Sequence, residues 1–184
     1  FLRKTVKKIL MIFIYRILIN LILIFSPLII LLRLFKKKED FFRFKEKLSF
    51  SSKNRTKGKL IWFHGASVGE LQSIVPLLEI YEKNKNVKKI LITSNTLSSF
   101  EVISNLKIKK VVHQYFPLDF NYFSKKFLNH WNPSVAFFID SEIWPNMILN
   151  LKKNKVPIIL LNGRITKRSF KKWKLFPGFA NALF

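Results

Sequence analysis

Leu60-Ile61-Trp62-Phe63-His64-Gly65-Ala66-Ser67-Val68-Gly69-Glu70 is the stretch on which the reading of this chain turns. Leu60 to His64 is a short run of mostly apolar residues with strand character. Gly65 to Glu70 is a polar knot, and Gly69 to Lys83 continues with the apolar spacing of a helix. The same order recurs downstream. Candidate strands are Leu60 to His64, Lys89 to Thr93, Val111 to Phe116, Val135 to Ile139 and Val156 to Leu161. Candidate helices lie between them, at Gly69 to Lys83, Leu97 to Leu106, Asn121 to Trp131 and Asn146 to Asn154. Strands alternating with helices at this interval predict an α/β fold, a Rossmann-like parallel sheet covered on both faces.

Ligands of such sheets bind beyond the carboxyl ends of the strands, so the polar knots are where function is sought. They are Gly65 to Glu70, Ser94 to Thr96, Pro117 to Asp119, Asp140 to Asn146, and Asn162 to Arg168. Gly65 and Gly69 make neither a dinucleotide fingerprint nor a phosphate loop with its Lys-Ser or Lys-Thr pair. A nicotinamide or ATP site is therefore unsupported. Cysteine is absent, and His64, His113 and His130 lie far apart without metal-ligand spacing, so no structural zinc is expected.

Outward from the alternating region, the amino-terminal end changes character. Ile9 to Leu32 contains eighteen Ile, Leu or Phe residues, and as a helix it would reach about 36 Å, enough to cross roughly 30 Å of hydrocarbon. Arg16 and Pro27 interrupt it, and a helix lying on the membrane surface is the competing reading. No small-residue cleavage site follows, which favours an uncleaved anchor. The heavier basic flank, Arg33, Lys36, Lys37, Lys38, Arg43, Lys45 and Lys47, follows the apolar run and predicts that the remainder stays cytoplasmic. Glu39 to Leu48, with Phe41, Phe42 and Phe44 among basic residues, reads as a short interfacial helix. The expected division is a membrane anchor and interfacial helix over 1–48, a linker over 49–58, and a Rossmann-like domain over 59–184.

Lys and Arg number 34 against 10 Asp and Glu, a net charge of +24 over 184 residues, which favours an anionic partner. The apolar anchor and the acidic strand-end knots favour anionic phospholipid and phosphorylated lipid over nucleic acid, and no nucleic-acid partner is expected.

The run His64, Gly65, Ala66, Ser67, Val68, Gly69, Glu70 resembles the opening motif of the bacterial 3-deoxy-D-manno-octulosonic acid (Kdo) transferases. Further matches follow in order. They are Pro117, Leu118, Asp119; Glu142, Ile143, Trp144, Pro145, Asn146; and Asn162, Gly163, Arg164 with Arg168 and Ser169. The resemblance covers nearly the whole chain. Asp140 stands where the family usually has Glu, and Gly65 where it often has Thr or Ala.

This resemblance implies the amino-terminal, acceptor-side domain of a two-domain GT-B glycosyltransferase at the bacterial inner membrane. It implies transfer of Kdo from CMP-Kdo to a lipid A precursor (lipid IVA) without metal or other cofactor. The donor would be held mostly by a carboxyl-terminal domain beyond Phe184. Glu70 is then the candidate general base, although Ser67 and Glu70 also stand at capping-box spacing. Ser67 and the backbone at Gly69 are candidates for an anionic group. Arg164, Lys167 and Arg168 suit phosphates, and Glu142 and Asn162 suit positioning. Asp140, Ser141 and Glu142 resemble the acidic triplet of metal-dependent sugar transferases, but a loop-orienting role is expected of them instead. Alternatives are a GT-B enzyme acting on another lipid-linked sugar and a non-enzymatic basic membrane-binding module.

Overall fold

A computed structural model of the protein describes residues 2–140 and 142–183. Five parallel strands form one sheet. They are β1 (Lys59–His64), β2 (Val87–Ser94), β3 (Val111–Tyr115), β4 (Val135–Ile139) and β5 (Ile158–Leu161), in the order β3-β2-β1-β4-β5. The α/β, Rossmann-like expectation is met. The helices are α1 (Leu2–Phe35), α2 (Val68–Ser73), α3 (Val75–Lys83), α4 (Leu97–Ser104), α5 (Asn121–Trp131), α6 (Pro145–Lys153), α7 (Lys167–Leu175) and α8 (Pro177–Leu183).

Side chains alternate across a strand, and the inner strands β1, β2 and β4 are covered on both faces, which is why they read as continuous apolar runs, whereas Ile159 and Leu160 of the edge strand β5 stay exposed. Leu60 and Trp62 of β1 pack with Phe127 and Trp131 of α5 and Met147 and Leu151 of α6. Ile61 and Phe63 enter a second cluster with Leu71 of α2, Leu78 of α3 and Ile103 of α4. The helix expected over Gly69 to Lys83 is broken at Ile74. Pro76 has no N–H to return to Gln72 and disfavours a helical residue before it, so the chain restarts as α3.

Residues 39–48 differ from the expected interfacial helix. Only Phe44–Leu48 is helical, as a 3-10 segment, and Glu46 and Lys47 are buried. Glu46, 1% exposed, accepts both Arg43 nitrogens at 2.9 and 3.0 Å, the Ser52 hydroxyl, and the Tyr115 backbone N–H at 2.8 Å. Arg43 continues to the His113 carbonyl and to His113 Nδ1. Burial first, then the Arg43 charge, pushes the His113 imidazole down to about 3, so it stays neutral and its Nε2–H donates to Ser94. The segment closes the outer edge of the sheet beside β3, with Phe41 and Phe42 left exposed.

Helix α1 is long and apolar enough over Ile9–Phe35 to cross a membrane. The carbonyl of Leu23, which Pro27 cannot serve, accepts from the Ser26 hydroxyl at 2.9 Å. Its buried and half-buried positions, Met11, Ile12, Tyr15, Arg16, Ile19, Ser26, Ile30, Arg33 and Leu34, recur at helical spacing and mark one face along the rest of the molecule. Tyr15 donates to Asp119 Oδ2 at 2.7 Å, and Arg16 donates to Asn146 and Asn121 at 3.1 and 3.2 Å. Asp119 also accepts the backbone N–H groups of Asn146 and Met147 at 3.0 and 2.9 Å, which ties the loop after β3 to the start of α6. The Tyr15 ring lies 5.5 Å from that of Phe179 on α8.

Replacing Glu46 by Ala leaves the Arg43 guanidinium and the Tyr115 amide without their buried acceptor. We expect a loss of roughly 3 to 5 kcal/mol in unfolding free energy, read by denaturant titration of the detergent-solubilised protein. Burial raises the pKa of Asp119 from 3.8 to about 6, against the lowering effect of the bonds from Asn146, Tyr15 and Met147. The folded state then holds this proton more tightly than the unfolded chain. The stability it contributes is full below about pH 4 and lost as pH rises to about 6. Carbon-13 NMR of the Asp119 carboxyl should give a midpoint near 6. The stability of the wild type relative to Asp119→Asn should fall across that interval and level off above it.

Candidate functional site

Strand order fixes where a ligand can sit. The chain builds β1, β2 and β3 outward in one direction and then returns to place β4 on the other side of β1. The loops leaving β1 and β4 therefore diverge and open a crevice at their carboxyl ends, the topological switch point of the sheet. Glu70 follows β1 and Glu142 follows β4, so the two carboxylates named from sequence flank this crevice. Arg164 follows β5, the next strand over, on the same edge. Neighbouring parallel strands are about 4.8 Å apart, so the β1 and β5 ends are separated by roughly 10 Å.

Glu70 is held in a capping arrangement. Ser67 is the N-cap of α2 and accepts the Glu70 N–H at 3.3 Å. The Glu70 carboxylate returns to the Ala66 N–H at 2.8 Å and accepts the Ser67 hydroxyl at 2.7 Å. The side chain is half-exposed at the crevice. Gly65 is buried, and a Cβ there would meet side-chain atoms of Leu71, Ile139 and Glu70 at 3.0 to 3.3 Å, so a larger residue needs a small shift of these neighbours. At Gly69 a Cβ would meet nothing within 4 Å, so the backbone beside Glu70 lies open to approach.

The Glu142 carboxylate is anchored from within. Its Oε2 accepts the Trp144 indole N–H at 2.8 Å and contacts His64 Nε2 at 3.3 Å. His64 is fully buried, stacks on Phe116 at 3.8 Å, and meets the Thr93 hydroxyl with Nδ1 at 3.0 Å. The Trp62 indole donates to that same hydroxyl at 2.9 Å. Nδ1 also lies 3.2 Å from the Thr93 carbonyl oxygen, the Thr93 hydroxyl reaches the Phe63 carbonyl at 3.4 Å, and Nε2 is the ring nitrogen that faces Glu142. Burial pushes the Glu142 pKa up, but the hydrogen bond and charge of His64 and the Trp144 bond push it down further, and the carboxyl lies below its ordinary value. A line of hydrogen bonds thus runs from the core of the sheet to a carboxylate at the rim.

Sequence reasoning gave His64 no catalytic role, only contact with substrate from the strand end, which its full burial does not allow, and did not single out Thr93. The signal available was register, since a residue at the end of β1 pairs with one near the end of β2, and His64 is opposite Thr93. Tyr15 and Asp119 were likewise not paired in advance, and a separation of 104 residues carries no local pattern.

At the ends of β4 and β5, Asp140 and Asn162 both adopt left-handed backbone, with φ of 56° and 52°. Asp and Asn tolerate that conformation better than most residues. Asn162 Nδ2 donates to Asp140 Oδ1 at 2.6 Å. Asp140, Ile143, Gly163, Arg164, Ser169 and Trp173 line a cleft of about 410 Å³. Arg168 lies on the exposed first turn of α7, beside Ser169. Of the acidic triplet, Ser141 lies outside the described residues. Asp140 is turned to Asn162, and Glu142 to His64 and Trp144.

Comparison with known proteins gives the family. A family model described as 3-deoxy-D-manno-octulosonic-acid transferase (kdotransferase) matches residues 42–184. The chain is 38% identical over 165 residues to a probable 3-deoxy-D-manno-octulosonic acid transferase, mitochondrial, of Arabidopsis thaliana, covering 88% of this chain and 37% of that protein. It is 38% identical over 151 residues to the 3-deoxy-D-manno-octulosonic acid transferase of Rickettsia bellii, covering 82% and 36%. For the transferase of Haemophilus influenzae the figure is 30% over 109 residues, covering 59% and 26%. The chain spans little more than a third of the length of the first two relatives and about a quarter of the third. With the family model matched from the 3-10 segment through α8, the chain belongs to the 3-deoxy-D-manno-octulosonic-acid transferase family.

Proposed function

We propose that this chain is the acceptor-side domain of a GT-B glycosyltransferase that moves Kdo from CMP-Kdo to a lipid A precursor, lipid IVA, in lipopolysaccharide synthesis. The observation that carries the reading is the gathering of Glu70, Glu142 and Arg164 along one edge of the sheet in a chain of this family. CMP-Kdo is held mainly by a second domain, for which the greater length of the relatives leaves room. Residues 59–184 supply the acceptor side, and the apolar helix keeps the protein at the cytoplasmic face of the inner membrane, among anionic phospholipids.

In this mechanism the Glu70 carboxylate leaves Ala66 and Ser67 and takes the proton from an acceptor sugar hydroxyl. That oxygen attacks the anomeric carbon of Kdo, the bond to CMP breaks, and CMP departs with the electron pair. The resting contacts of Glu70 are of a kind that substrate can displace, since Ser67 is exposed and the Gly69 backbone is open beside it. Ser67 and the Gly69 amide face the anionic groups that arrive there. Arg164 and Arg168 receive acceptor phosphates, for which planar bidentate guanidinium contacts are suited. Asn162 fixes Asp140 at the edge of the same cleft, and Glu142, held by His64 and Trp144, sets the shape of the β4 loop. The reaction needs no metal or other cofactor in this scheme.

Incubation of the full-length protein with CMP-Kdo and lipid IVA, beside other lipid-linked sugars, tests the assignment. Product formed only from a different lipid-linked acceptor, or none from CMP-Kdo, would sink it. Glu70→Gln separates catalysis from capping, because Gln can still serve the helix start but cannot take the proton. We expect unchanged folding with turnover reduced by about 10² to 10⁴, read as kcat at saturating acceptor. Near-normal turnover would leave Glu70 with the cap alone.

A further inference from the structure

Both ends of the apolar stretch of α1 lead to one dipeptide. At the near end, Tyr15 donates to Asp119. At the far end, Arg33 pairs with Glu39, which is buried and also receives the Lys47 ammonium at 2.7 Å. The Lys47 carbonyl in turn accepts the backbone N–H of Leu118 at 2.9 Å, and Leu118 precedes Asp119. Tyr15 and Arg33 are about 27 Å apart along the helix axis, close to the thickness of a bilayer's hydrocarbon core. If α1 stood across the membrane with these attachments made, Leu118 and Asp119 would lie between the two headgroup layers. The loop of β3 and the start of α6 would go with them, placing irregular backbone and the carboxylates of the rim in lipid.

From this geometry we infer that α1 lies in the plane of the membrane as a monotopic docking surface. Its inner face is clamped to the carboxyl edge of the sheet and its outer face is sunk among the acyl chains of an anionic phospholipid bilayer. From Ile9 to Leu32 the outer face is apolar apart from exposed Asn20, with Phe13, Leu21, Ile24, Leu28 and Leu31 each about half or more exposed. Exposed Lys36, Lys37 and Lys38 follow directly at its carboxyl end, and Phe41 and Phe42 protrude beyond them. Basic residues bordering an apolar strip match a bilayer with anionic headgroups, whereas a second copy would bring like charges together in a protein of net charge +24. The inference deepens the membrane attachment proposed above and rests on it, but not on the chemistry of transfer. The switch-point crevice then opens beside the membrane surface, where a lipid-borne sugar can enter sideways.

The chain has no cysteine, so introduced thiols report without background. Thr5→Cys and Ser51→Cys variants of the full-length protein, made in bacterial cells, bracket the apolar stretch of α1. A membrane-impermeant maleimide should label neither in cells with only the outer membrane opened, and both in inverted inner-membrane vesicles. Nitroxides on Phe13→Cys and Ile24→Cys, which share one side of the helix, should sit at the same depth in phosphatidylethanolamine–phosphatidylglycerol vesicles. A helix crossing the bilayer would separate them by about 16 Å. Labelling of Thr5→Cys from outside, a depth difference of that size, or a protein that leaves the vesicles as a soluble dimer would each overturn the inference. None of these readouts depends on turnover, so loss of Kdo transfer would bear on the proposed reaction and leave this result intact.

Discussion

Because the five strands run in one direction, every loop that leaves a strand end emerges on the same edge of the sheet, and the return of the chain to β4 decides which two loops part. Everything of chemical interest follows from that constraint. Glu70, Glu142, Asp140 and Arg164 belong to different loops spread along the chain, yet they share a rim because their strands are parallel. The two apolar layers that cover the sheet hold this edge rigid, and the line from Trp62 and Thr93 through His64 carries that rigidity to Glu142.

The two carboxylates are held differently. Glu142 is tethered to groups that cannot move without disturbing the core, since His64 is enclosed by aromatic rings and bonded to Thr93. Among the described residues, Glu70 is tethered to the turn in which it sits, by Ser67 and Ala66. A fixed carboxylate suits shaping a loop, and a locally capped one suits exchange of partners. That contrast supports giving proton transfer to Glu70 and positioning to Glu142.

Legibility in the sequence followed the range of the forces. The strands were readable because burial on both faces leaves continuous apolar runs, and Asn121 to Trp131 and Val135 to Ile139 agree with the structure residue for residue. Pro76 marked the break between α2 and α3, but the apolar spacing continued through it and outweighed that signal. The fifth strand starts at Ile158 rather than Val156, after Pro157, which lacks the N–H a ladder needs. Residues 39–48 were misread in part: Phe41 and Phe42 are exposed as composition suggested, whereas Glu46 is buried against Tyr115, 69 positions away. The candidate residues of the rim were legible from motif and strand end; the groups behind them, His64, Thr93 and Tyr15, were not.

The buried Glu46 also bears on how this protein can be cut. Hydropathy draws a boundary just after the apolar helix and invites removal of everything before the first strand. The hydrogen bonds draw it earlier, because Arg43, Glu46 and Lys47 finish the side of the sheet where β3 would otherwise be an open edge. A shortened, water-soluble version trimmed to residue 59 would carry a raw strand margin ready to pair with another chain, and its tendency to aggregate would be mistaken for a property of the missing anchor.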